Sequence, residues 1–103
     1  VLKNPPTAVF AMNDILARGV IDYINKYQVN VPEALSVVSF DYAALAQRTT
    51  PPITSVLTPA YDLGVETAKL FLALQADPAH KPKIVNLPYT IEDRGSTAPM
   101  LKH

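Results

Sequence analysis

Hydrophobic and polar positions divide this chain into segments of two kinds. Thr7-Ala8-Val9-Phe10-Ala11-Met12, Leu35-Ser36-Val37-Val38-Ser39-Phe40 and Ile53-Thr54-Ser55-Val56-Leu57 are short apolar runs rich in β-branched residues, with little polar alternation. The second run fits a strand buried on both faces of a parallel sheet, the first reads as a buried strand and the third as a further strand. Between the first two, Ile15, Leu16, Gly19, Val20, Ile24 and Tyr27 recur at three- and four-residue spacing. Asp14/Arg18 and Asp22/Lys26 supply i,i+4 charge pairs suited to a wet face. The pattern predicts a helix capped by Asn13, with Asp14 in its first turn, ending near Gln28. Strand, helix and strand make a βαβ unit, whose default crossover is parallel and right-handed.

Proline sets the later boundaries. Val31-Pro32-Glu33 reads as a turn and Ser36 to Phe40 as the second strand. A mixed segment through Arg48 leads to Thr49-Thr50-Pro51-Pro52 and the third strand, Ile53 to Leu57. Thr58 is expected to cap a second helix with Pro59 in its first position, and Leu63, Thr67, Leu70, Phe71 and Leu74 mark its apolar stripe to about Ala76. Asp77-Pro78 ends it. Lys83 to Leu87 reads as a fourth strand, broken by Pro88 and resumed over Tyr89 to Glu92 as an edge piece. The tail from Arg94 to Pro99 looks irregular.

Composition narrows the function classes. With 103 residues, 49% hydrophobic and 17% charged, the chain suits one small globular unit at most. Nine basic and nine acidic side chains cancel, leaving no electrostatic footprint for nucleic acid or an anionic membrane. Without cysteine there is no disulfide or thiolate site, and His80 and His103 stand far apart in loop-like contexts, so no cofactor and no metal site is expected. No run approaches the roughly 18 apolar residues of a membrane helix, and the chain is cytoplasmic in character. Because it opens directly before a strand, an upstream portion is expected outside it. Neither strand is followed by a glycine-rich phosphate cradle. Ser96 and Thr97 have no histidine-acid partners in sequence, which speaks against an α/β enzyme.

The candidate binding residues lie at strand ends. Asp41 follows the second run directly, where open α/β sheets bind ligands, and Asn13 follows the first. Both side chains can fix a polyol or heterocycle in a mostly apolar cleft. Local chemistry equally allows both to be caps or turn residues that accept backbone N–H bonds. Tyr42 can stack on a sugar or pack between elements, and Arg94 is assigned a structural role.

The segment from Pro6 to Gly19, Pro-Thr-Ala-Val-Phe-Ala-Met-Asn-Asp-Ile-Leu-Ala-Arg-Gly, resembles a strand-to-helix junction of LacI/GalR-type transcriptional regulators. Val31 to Asp41, Thr50 to Val56, Leu63-Gly64 and Arg94-Gly95-Ser96-Thr97 follow in that family's order and approximate spacing. The resemblance covers nearly the whole chain. It implies an α/β fold class: parallel-sheet βαβ units of a periplasmic-binding-protein-like type I domain, present in part as its C-terminal portion. Residues 1–57 would supply C-terminal lobe elements, 58–88 would pack in the N-terminal lobe, and 89–103 would carry the return strand and tail.

The resemblance also implies ligand contacts at Asn13, Asp41, Thr58 and Ala60. The last two are small where some relatives carry larger side chains, and Tyr42 replaces a frequent second aspartate. The implied function is non-catalytic: a small-molecule effector, a sugar or related metabolite, binds the intact domain and controls DNA binding through an N-terminal headpiece outside this chain. A homodimer or higher assembly is implied, with no membrane partner. The alternative is a fragment of a periplasmic sugar-binding protein of a transport system. An isolated helix stripe over 59–76 would lack its usual cover and favour self-association.

Overall fold

The computed structural model describes residues 4–40, 46–81 and 83–100. Its first element, β1 (Ala8–Ala11), leads through Asn13 into the helix α1 (Asp14–Lys26) and then β2 (Ser36–Phe40). A 3₁₀ turn over Ala46–Arg48 precedes β3 (Thr54–Leu57), which is followed by α2 (Ala60–Ala76) and β4 (Thr90–Glu92). The four strands form one sheet in the order β1-β2-β3-β4. The first two pairings are parallel, and β3 with β4 is antiparallel. The parallel βαβ arrangement read from the apolar runs is therefore present, but β1 is not the buried strand expected: Ala8 and Phe10 are exposed and only Ala11 is buried, because β1 is an edge strand paired with β2 alone.

Where length and composition suggested one unit at most, two compact units divide the chain: Val1–Leu57 with Thr90–His103, and Thr58–Tyr89. In the first, Ala11, Ala17, Ile21, Val37, Ala46 and Ile53 form the buried apolar core, with Val20, Ile24, Val31, Leu35 and Leu57 packed partly against it. Three of the six are alanines, so Ile21, Val37 and Ile53 dominate the apolar burial, each worth about 1.5–3 kcal/mol. Consecutive burial of Ser36 and Val37, then of Ser39, fits a β2 covered on both faces.

The stripe expected on α1 is not its buried face: Gly19 is exposed and Val20 and Ile24 are only half-buried. Asp14, Ala17 and Ile21 turn inward, whereas Ile15, Leu16, Tyr23 and Tyr27 stand exposed on the outside. The expected Asp14/Arg18 surface pair is not formed, because Asp14 faces the sheet. Arg18 pairs with Asp22 instead, at 3.4 Å, so the expected Asp22/Lys26 pair does not form either, and Lys26 Nζ lies 5.6 Å from the centroid of the Tyr27 ring. At its end Gln28 adopts φ 58°, Gln28 N–H donates to the Asn25 carbonyl and Val29 N–H to the Ile24 carbonyl. This is a Schellman closure with glutamine in a position that favours glycine.

The second unit holds α2, none of whose residues is buried. Thr58 is not its cap: Pro59 takes the half-helical place, its carbonyl accepting from Leu63 N–H, and no side chain caps the helix. Leu63, Phe71, Leu72 and Leu74 are all exposed. Asp77 ends the helix, and its Oδ1 accepts from Ala79 N–H at 3.0 Å. The strand expected over Lys83 to Leu87 does not form. A strand persists where a neighbour satisfies its N–H and C=O groups, and none of the described strands pairs with this segment. Only Thr90–Glu92 of the expected edge piece is strand, against β3.

Candidate functional site

β1 and β2 run parallel in the register Ala11↔Ser39, so their carboxyl ends open at the same edge of the sheet. Open α/β sheets bind ligands beyond those ends. Asn13 stands there with extended backbone, and its Oδ1 accepts from Leu16 N–H at 2.8 Å. The capping role is thus real and leaves the amide nitrogen as the donor that this half-buried side chain offers a ligand. Asp41, next after β2 in sequence, lies outside the described residues, as do Tyr42 and Leu45. Thr58 and Ala60 belong to the second unit, where Ala60 N–H donates to the Thr58 carbonyl at 2.9 Å.

Beneath the strand ends, the sheet is polar inside. Ser39 and Ser55, both fully buried, sit opposite each other in register with their hydroxyl oxygens 2.6 Å apart. The Ser39 hydroxyl donates to Asp14 Oδ1 at 3.1 Å. Arg94 Nη1 donates to Ser55 Oγ at 2.9 Å and to the Ile53 carbonyl at 2.6 Å. Its Nη2 is the one buried side-chain nitrogen or oxygen without a hydrogen-bond partner among the described residues. Arg94 thus holds a carbonyl and a hydroxyl on β3 and its approach. Ser96 does likewise: fully buried, its hydroxyl donates to the Val37 carbonyl and accepts from Thr54 N–H.

The pattern reading missed the joint role of Asp14, Ser39 and Ser55. An i,i+4 spacing to Arg18 is compatible with either side of a helix, so it does not reveal that Asp14 faces the sheet. Paired serines within two apolar strands were the available signal, since buried hydroxyls require partners. No group of acidic or histidine side chains suited to a metal ion occurs among the described residues. Nor is any described helix long and apolar enough to cross a membrane.

The sequence profile of the periplasmic binding protein-like domain matches residues 1–97. This chain belongs to the periplasmic-binding-protein-like domain family. Its relatives place it with the effector-binding domains of LacI/GalR-type regulators. It is 39% identical over 71 residues to the HTH-type transcriptional repressor CytR of Escherichia coli K12, spanning 69% of this chain and 21% of that protein. A LacI transcriptional regulator from Bacillus cereus subsp. cytotoxis NVH 391-98 superposes with a TM-score of 0.88 at 31% identity, over 94% of this chain and 34% of the other. A LacI-family regulator from Enterococcus faecalis V583, solved with bound ribose, gives 0.83 at 32% identity, over 95% and 37%. This periplasmic-binding-protein-like chain therefore spans only a fraction of the length of the relatives it matches.

Proposed function

We propose that this chain is the part of a bacterial LacI/GalR-type regulator that supplies strand-end contacts to a small-molecule effector and takes part in subunit assembly. The observation that carries this reading is the shared carboxyl edge of β1 and β2, with Asn13 at the first strand end. Asn13 and Asp41 are the principal proposed contacts, and Thr58 and Ala60 are added from the family pattern. In the intact domain, 1–57 belongs to one lobe, 58–88 to the other, and 89–103 returns to the first. The ligand is a sugar or related metabolite, a class supported by neighbours solved with ribose and cellobiose.

The chain performs no chemistry in this reading. Effector binding favours one lobe arrangement and shifts the population, which changes DNA binding by a headpiece outside residues 1–103. The transport-protein alternative receives less support, because the matched relatives are regulators. A thermal-shift titration of the intact protein with D-ribose, hexoses and cellobiose tests the reading. A ligand at 100 times its Kd stabilises by about 2.7 kcal/mol. A melting temperature unmoved by every sugar would overturn it. Residues 1–103 alone should give no salt-sensitive, sequence-selective gel shift, since their net charge is zero.

A further inference from the structure

The buried polar contacts have a direction. A guanidinium can only donate, a carboxylate only accepts, and each serine hydroxyl has one proton. Ser39 gives its proton to Asp14 at 3.1 Å, so at the 2.6 Å contact Ser39 must accept from Ser55. Ser55 in turn accepts from Arg94 at 2.9 Å, and its longer 3.3 Å approach to the Ile53 carbonyl is not the one that holds its proton. The chain runs Arg94 to Ser55 to Ser39 to Asp14, cation to carboxylate through two hydroxyls. Bonds aligned in this way polarise one another.

Its ends occupy informative places. Asp14 is the first residue of α1, next to the cap Asn13, and is only 8% exposed. Ser55 lies on β3, the strand that leaves the first unit, and Arg94 follows β4, the strand that returns to it. Arg94 is further tied down by its backbone N–H, which donates to Thr54 Oγ1 at 3.0 Å, while Thr54 Oγ1 donates to Asp93 at 3.3 Å. The relay thus joins the segments bearing both chain connections to the helix terminus that presents Asn13.

We propose that Arg94, Ser55, Ser39 and Asp14 form a one-way hydrogen-bond relay that positions Asn13 for the effector. The four are positioning residues acting through the α1 terminus, and the inference rests on reading Asn13 as an effector contact. The Leu16 N–H reports Asn13 placement without any ligand, because its acceptor is Asn13 Oδ1 at 2.8 Å. Hydrogen exchange of Leu16 N–H, taken relative to Ile21 N–H within the same helix, should be about tenfold faster in Ser55→Ala than in the unmodified protein. Arg94→Met should raise the same ratio, and Arg94→Lys, which keeps a donor and the charge, should restore it. A Ser55→Ala protein with an unchanged ratio, whatever its melting temperature, overturns the relay. If Ser55→Ala does not fold, the Arg94 pair decides, and equal ratios in Lys and Met overturn it. Sugar titration plays no part in this readout, so loss of the effector reading and loss of the relay are separate results.

Discussion

The two units of this chain solve the problem of burial differently. The first covers Ile21, Val37 and Ile53 completely and gives each inward hydroxyl a partner. The second carries a 17-residue helix with no buried residue, its Phe71 63% and Leu74 44% exposed. Both helices have apolar positions at helical spacing. What separates them is a sheet against which one face can close, which teaches that periodicity announces a helix but not its cover. A helix held mainly by propensity is marginal in water, and apolar packing normally supplies the rest.

The largest test of that contrast is assembly. Burial of the Leu63, Phe71 and Leu74 side chains, or of the outer Ile15, Leu16 and Tyr23 face of α1, against a second copy should give at least a dimer. A dissociation constant near 1 μM corresponds to about 8 kcal/mol. Sedimentation equilibrium at about ten micromolar should then show mostly dimer if the constant is submicromolar. A well-folded monomer under those conditions would remove self-association as the source of cover.

Within one chain the contrast is sharpened by truncation. Ile53→Ala should cost about 2–5 kcal/mol in urea melts, because a fully buried side chain leaves a cavity. Phe71→Ala, at an exposed position, should stay within about 0.5 kcal/mol in a monomeric state. Similar losses for the two would show that α2 is packed as firmly as the sheet. Asn13→Ala comes next: removing the cap on Leu16 should cost about 0.5–2 kcal/mol of stability. An unchanged denaturant midpoint would mean that the cap adds nothing. The smallest effect is a gain. Gln28 at φ 58° occupies the left-handed region, so Gln28→Gly should stabilise by about 0.5 kcal/mol, the strain relieved exceeding glycine's added unfolded-state entropy. Loss of stability on that change would contradict the Schellman reading of the α1 end.

Much of this contrast is legible in the sequence. β2 matches its apolar run from Ser36 to Phe40, β3 starts one residue later than read, and α2 ends at Ala76 where Asp77-Pro78 forbids continuation. These are local matters of side-chain branching and proline geometry. The failures are non-local. Lys83 to Leu87 has strand-like composition, yet strand structure needs a partner, which composition does not reveal. Asp14 satisfied a surface-pair rule while its actual partner was 25 residues away on β2. Arg94 and Ser55 are 39 residues apart, so their bond follows from the sheet order and not from spacing. At the site, Asn13 was visible as both cap and contact, and the structure establishes the cap. The ligand-facing role of Asn13 and Asp41 belongs to the proposed function.

That role is tested most directly by calorimetric titration of the intact protein with the sugar that gives the largest thermal shift, comparing it with Asp41→Ala. Loss of a charge-assisted hydrogen bond worth about 1.5–3 kcal/mol should weaken binding roughly 10- to 150-fold while the melting temperature without ligand stays nearly constant. An Asp41→Ala protein that binds the same sugar with undiminished affinity would contradict the account.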